Sequence, residues 1–218
     1  MSADLFQPWL FVIVALVMGW FAAGVIWNIR RGNAVLRWMQ GGLPRLGERT
    51  TLRWMGSSVV ELGIARAKPP FRRVELLLVM APRDVPWLWL LSFRRGRRDT
   101  LIVRGQLTTA PHLEYDVIAP GSWSARSALA RATEARWGNE GLDDYRFVAP
   151  RASLPVSRKD APALLEAARN IHPTIWRLAV RREFPQLELH VPLPDPKSRD
   201  ARQFFEAVCS LAQRSTAG

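Results

Sequence analysis

Cysteine is almost missing from this 218-residue chain, with Cys209 the only one. A single thiol excludes an intramolecular disulfide and any zinc or iron–sulfur site built from several cysteines. Set in an amphipathic stretch, Cys209 reads as a small apolar core residue rather than a reactive thiol. Histidine is scarce as well: His112, His172 and His190 are scattered, and none lies a helical turn from another. That spacing predicts structural histidines rather than metal ligands. The chain also lacks Gly-x-Ser-x-Gly, GxxxxGK[ST] and GxGxxG, the backbone devices that expose a nucleophile or cradle a phosphate. No cofactor and no metal is therefore expected, and the chain reads as non-enzymatic. An enzyme whose site assembles only in the fold remains the alternative, and a pocket gathering the histidines with Asp143 or Glu114 would favour it.

Charge is missing from one long segment. From Trp9 to Trp27 the chain runs nineteen residues without a charged side chain, which as a helix spans roughly 28 Å and matches the hydrocarbon core of a bilayer. Trp9, Trp20 and Trp27 are the expected membrane anchors, since indole rings favour the headgroup boundary. No Lys or Arg precedes the span, whereas Arg30, Arg31 and Arg37 follow it. The positive-inside bias then predicts a single-pass protein of the cell membrane, N-terminus outside and the remainder cytoplasmic. A cleaved signal peptide would want a basic start and a small-residue exit, which do not occur in that order. Ala15, Gly19 and Ala23 recur every four residues, a spacing that lets a second helix approach and makes a homodimer one expectation.

The net charge of +12 is unevenly spread. Residues 1–29 carry only Asp4; residues 30–104 carry sixteen basic against five acidic residues; residues 105–218 carry fifteen against thirteen. Of the 31 basic residues 28 are arginine, which by itself is weak evidence for phosphate recognition.

Residues 30–42 are expected to form a basic juxtamembrane helix lying on the membrane, ended by Gly41, Gly42 and Pro44. A cytoplasmic α+β domain then occupies 43–213, either whole or as a β-rich part to 120 and a mixed part from 121, with a flexible tail at 214–218. Short Val-, Leu-, Ile- and Trp-rich runs predict a mainly antiparallel sheet meander, with strands at 51–55, 59–66, 73–80, 87–93, 100–107 and 113–118. The run Trp87–Leu91 is apolar without alternation, so that strand is either buried on both faces or touches something apolar outside. Beyond it the pattern predicts a helix capped by Ser122 or Ser124 and running to about Trp137, a strand at 145–149, a helix at 161–170 capped by Asp160, strands at 175–182 and 187–191, and a C-terminal helix at 199–213. Its stripe of Ala201, Phe204, Phe205, Val208 and Leu211 is core packing. The stretches beginning at Leu62 and Leu178 echo one another as hairpins around a proline turn, with Glu75 and Glu188 at like places.

The strongest functional candidate is Arg94, Arg95, Arg97 and Arg98, expected on a hairpin tip beside Trp87, Trp89 and Phe93. Cations beside aromatic anchors suit anionic lipid headgroups, where each contributes about 1 kcal/mol; a solvated turn is the bland alternative. Nucleic acid is the rival anion, but no RNP, KH or helix-turn-helix pattern supports it. Function therefore reads as a membrane-anchored scaffold or accessory subunit, with the lipid bilayer and a membrane or cytoplasmic protein as partners.

Overall fold

A computed structural model describes residues 6–216, so the expected outer N-terminus (1–5) and the end of the tail (217–218) lie outside the described residues. The apolar run forms the first part of one long helix, α1 (Phe6–Gln40), which is long and apolar enough to cross a membrane. Its side chains are exposed from residue 8 to 23. From there on, Gly24, Asn28, Gly32, Val35, Leu36 and Met39 are buried, a three-to-four-residue spacing that puts them on one stripe.

The expected separate helix over 30–42 is therefore replaced by a continuation of α1. Its apolar stripe goes into the protein core instead of onto a lipid surface. Gly41 and Gly42 do end the helix, and a 3-10 turn (Leu43–Arg45) follows.

The domain is built on one open sheet of nine strands: β1 (Thr50–Met55), β2 (Val59–Ile64), β3 (Phe71–Val79), β4 (Thr100–Leu107), β5 (Tyr115–Ile118), β6 (Gly138–Leu142), β7 (Tyr145–Ala149), β8 (Arg177–Val180) and β9 (Leu187–Pro192). Their order is β1-β2-β3-β4-β9-β8-β5-β7-β6, and every neighbouring pair is antiparallel. The first four strands form a meander as expected, but β5, expected as its last strand, pairs with β8 and β7 instead of β4. Because β4 pairs with β9, strands from both sides of residue 120 share one sheet.

Period-two alternation divides the sheet into two faces. One carries Leu76, Leu78, Leu101, Val103, Leu189, Val191, Leu178, Tyr115 and Phe147, all buried. It forms a continuous core with the second half of α1, with α4 (Leu154–Arg169) through Leu164, Leu165 and Ala168, and with α5 (Ala201–Arg214) through Phe204, Phe205, Val208 and Leu211. The other face is partly covered by α3 (Ala125–Glu134), whose Ala125, Ala128 and Ala132 pack on Ile118 and Val148.

Four local expectations are corrected. Residues 87–93 are not a strand but most of a helix, α2 (Pro86–Arg94). Val79 and Thr100 pair directly, so β3 and β4 are already neighbours and 80–99 cannot insert between them; an internal helix satisfies its backbone locally. Strand β6 was missed because Gly138 and Gly141 hide its pattern; it turns into β7 through Asp143, whose φ of 49° lies in the left-handed region. Helix α4 starts seven residues earlier than residue 161 and contains Pro162, so Asp160 is no cap; its carboxylate instead accepts the Tyr115 hydroxyl at 2.8 Å. Burial and that carboxylate push the Tyr115 pKa up, holding the hydroxyl protonated. At the chain's end, Arg214 belongs to α5, and Ser215 and Thr216 bond back to its last turn. By contrast, the C-terminal helix matches its expected place, with Asp200 as N-cap accepting from the Arg202 N–H.

The junction of α1 with α5 depends on a glycine. A Cβ on Gly42 would stand 2.4 Å from the Ala201 carbonyl oxygen and 2.5 Å from the Phe205 ring. Gly42→Ala is expected to cost about 1–3 kcal/mol through overpacking against backbone. A lowered thermal midpoint of the full chain in neutral detergent would register it.

Candidate functional site

Two places gather chemistry, and they differ in kind. The first is on the sheet face opposite the main core. Strand register aligns Arg53, Glu61, Leu77, Ile102, His190, Arg177, Ile118 and Arg146 in one row, and Glu75, Arg104, Glu188, Ala179 and Asp116 in the next. At its centre, Arg177 is only 1% exposed, with Asp116, Glu188 and His190 buried around it. Arg177 donates to Asp116 Oδ2 at 2.5 Å and to Glu188 Oε1 at 3.0 Å. Arg181 adds a bond to Asp116 at 3.2 Å and Arg104 a longer ion pair to Glu188 at 3.5 Å. His190 Nε2 lies 2.7 Å from Glu188 Oε1, and Trp123 covers the imidazole with ring centroids 6.1 Å apart.

Burial by itself would raise the Glu188 pKa, but the His190 hydrogen bond and the charges of His190, Arg177 and Arg104 outweigh it and bring it to about 2. Burial lowers the pKa of His190 against the pull of Glu188. His190 Nδ1 has no hydrogen-bond partner. A buried cation holding two carboxylates is a structural clasp. Arg177 and Glu188 come from the neighbouring strands β8 and β9, whereas Asp116 lies 61 residues before Arg177 on β5, so the clasp ties β5 to the β8–β9 pair.

The other histidines are not gathered here. His172 Nδ1 accepts from the Thr174 N–H, and the exposed His112 lends its carbonyl to Arg182. Glu114 accepts from the Arg182 N–H, and Asp143 occupies the β6–β7 turn. No group of three or more His, Cys, Asp or Glu residues suited to a metal ion occurs among the described residues. Cys209 packs half-buried against the core, and burial raises its thiol pKa.

The second place is α2 with the loop behind it. None of the side chains of α2 is buried. Trp87 is 64% exposed, and Leu88, Leu90, Leu91 and Phe93 are each about half exposed. The helix starts at Pro86, which presets its first turn, and ends where the Arg95 N–H bonds the Leu91 carbonyl and the Gly96 N–H bonds that of Phe93. What holds it is α1. Trp20 Nε1 donates to the Arg83 carbonyl at 2.9 Å, and the Trp20 and Trp89 rings lie 6.2 Å apart. A Cβ on Gly24 would come within 2.4 Å of that same carbonyl oxygen, so only glycine admits the 83–84 backbone this close. Arg83 forms a two-pronged pair with Asp99 at 3.0 Å and also reaches Asn28 Oδ1, while Asn28 donates to the Ala81 carbonyl.

The four candidate arginines follow. They lie at the end of a helix and in the loop beyond it, not on a hairpin tip. Arg94 and Arg95 are exposed; Arg97 stacks over Trp123 at 5.7 Å, and Arg98 over Phe93 at 4.0 Å. Of the other predicted residues, Trp9, Ala15 and Ala23 are exposed on the early part of α1, and open space surrounds Gly19. Trp27 is exposed, and Arg30, Arg31 and Arg37 lie on the part of α1 that packs on the domain. Sequence reasoning missed Arg83, Gly24 and Asn28, because nothing local marks three residues whose contacts span more than fifty positions.

Removing the clasp's cation leaves two buried carboxylates uncompensated, so Arg177→Met is expected to cost about 3–5 kcal/mol, read as a lowered thermal midpoint. Acid acts on the same cluster. In the unfolded chain Glu188 returns toward 4.5 and His190 toward 6.5, both above their folded values. Each contribution is therefore whole above the unfolded value and lost on acidification. The thermal midpoint is expected to decline first below pH 6.5 and further between pH 4.5 and about 2. His190→Gln keeps a donor toward Glu188 and should reduce the upper step, leaving the part due to His172, whose pKa burial also lowers.

Comparison with known protein families and with curated proteins finds no match for this chain.

Proposed function

We infer that this chain is a single-pass protein of the cell membrane, held by α1 with its N-terminus outside. The cytoplasmic domain is pinned flat against the anionic leaflet and serves, without chemistry of its own, as a scaffold or accessory subunit for a protein partner. The observation that carries this reading is α2: an exposed helix, apolar from Val85 to Leu91 and docked on α1 at the level of Trp20 and Gly24.

In water, such a helix would be an exposed apolar patch with no compensation. Beside a membrane-spanning segment it lies in the leaflet. Five of its side chains are about half exposed, and since full burial of a large apolar side chain is worth roughly 1.5–3 kcal/mol, immersion recovers several kcal/mol in total. Arg94, Arg95, Arg97 and Arg98 then fall at headgroup height, where each adds about 1 kcal/mol. The run from Trp9 to Trp27 spans roughly 28 Å along the helix axis, so the cytoplasmic boundary falls near Trp27 and α2, docked at Trp20 and Gly24, lies just inside it. Arg30 and Arg31 remain near that boundary and support the inward orientation. Arg37 stands roughly 15 Å beyond Trp27 along the axis and belongs to the domain surface rather than to the lipid contact.

For the scaffold role, β1 supports a protein partner. It is an edge strand, exposed over most of its length, and pairs only with β2, so it offers unpaired backbone groups for strand addition. The open face of Ala15, Gly19 and Ala23 supports a second copy as another partner.

Depth measurement tests the reading. With Cys209 replaced by serine, a spin label on Leu90→Cys in nanodiscs is expected to be relaxed more by oxygen than by a water-soluble nickel chelate, whereas a label on Asn139→Cys shows the reverse. Equal nickel access at the two positions would overturn it.

A further inference from the structure

A cavity of about 390 Å³ lies between α2 and the end of the sheet. Trp89 and Phe93 of α2 form one wall, and Trp176, Pro192 and Leu193 form the opposite one. Arg97, Arg98 and the Arg83–Asp99 pair complete the lining. Helix α2 thus bridges a hollow instead of capping the core, which is why none of its side chains is buried.

The charges around the hollow do not cancel. Arg83 is neutralised by its two bonds to Asp99. Among the described residues, neither Arg97 nor Arg98 is paired with a carboxylate, and Arg97 Nε is buried without a hydrogen-bond partner. Arg98 donates to the Phe93 and Arg97 carbonyls and sits over the Phe93 ring at 4.0 Å, which fixes its guanidinium at the rim. Two oriented cations over aromatic walls call for a ligand with a compact anionic end and an apolar body.

We propose that this cavity is a binding site for a single anionic phospholipid. The headgroup phosphate is held by Arg97 and Arg98, and the acyl chains lie along Trp89 and Phe93 toward α1. This rests on the leaflet placement of α2, which brings the cavity to headgroup height and gives a lipid lateral access. A phospholipid is the occupant that matches both halves of the lining, since a free phosphate would leave the three aromatic rings uncovered.

The test uses the full chain, purified in mild detergent and stripped of lipid, with native mass spectrometry reading lipid retention. Dioleoyl phosphatidylglycerol is expected to be retained at one per chain and about 30-fold more tightly than dioleoyl phosphatidylcholine, the factor two such cations supply at tenfold per 1.4 kcal/mol. Arg97→Gln with Arg98→Gln should abolish that preference. Leu193→Trp, which fills the hollow while sparing both cations, should abolish retention of either lipid. Arg146→Gln with Arg151→Gln, a pair of exposed arginines elsewhere, should change nothing. Competition by soluble glycerophosphate at the same concentration as the lipid would show that phosphate alone suffices and overturn the lipid assignment. Equal retention of the two lipids, or a preference that survives both cavity variants, would overturn the site. The Leu90 depth label, measured on the same variants, separates the outcomes: an immersed label without lipid preference removes the cavity proposal and leaves the leaflet placement standing.

Discussion

Everything in this molecule depends on the seating of one stripe of α1, from Gly24 to Met39, against the domain. Since the helix is continuous, the apolar segment runs without a break into the stripe that packs on the sheet. Val35, Leu36 and Met39 enter the main core, Asn28 holds the Ala81 carbonyl, and Trp38 donates to the Arg199 carbonyl at 2.6 Å. Loosening this stripe would free the domain to swing on its tether. With it in place, the height and tilt of the sheet relative to the apolar segment are set.

Glycine makes that seating possible at each end. Gly24 and Gly42 occupy places where a single added carbon would strike backbone, at Arg83 and Ala201 respectively. The first contact brings the 83–99 connection to α1 and aims α2 outward beside it. The second lets α5 close over the end of the helix. Between them, the two sheet faces divide the labour: the apolar face supplies cohesion, while the opposite face spends its buried charges on the clasp of Arg177 with Asp116 and Glu188. Such a clasp adds little net stability over an apolar replacement. Its geometric demand does align β5 with β8 and β9, which follow it some sixty residues later in the chain.

Much of the fold was legible because it is periodic. Strands β1 to β4 and β7 to β9 and helix α5 show alternation or a stripe, and each formed near its expected place. The failures were of one type. The run Trp87–Phe93 has strand-like composition, yet β3 and β4 already pair with each other, so it has no place between them. The apolar stripe Val35, Leu36, Met39 looks the same whether it meets lipid or protein. Strand β6 is two-fifths glycine, so its pairing shows only beside β7. In each case the deciding fact was the location of a neighbour, and local pattern does not carry it. The echo between the hairpins acquires a spatial counterpart: Glu75 and Glu188 lie on the two strands flanking β4, each opposite Arg104.

The amino-acid sequence by itself determined the uncharged segment, the concentration of arginine behind it, the α+β class and the absence of any familiar catalytic motif, because these are properties of composition and short-range order. Only the tertiary structure decided what the arginines accompany. Arg94 to Arg98 follow an exposed apolar helix seated on α1 and border a hollow, a relation created by contacts between Trp20, Gly24 and Arg83 across some sixty residues. Such contacts are set by packing, which selects among conformations that the local sequence leaves equally open.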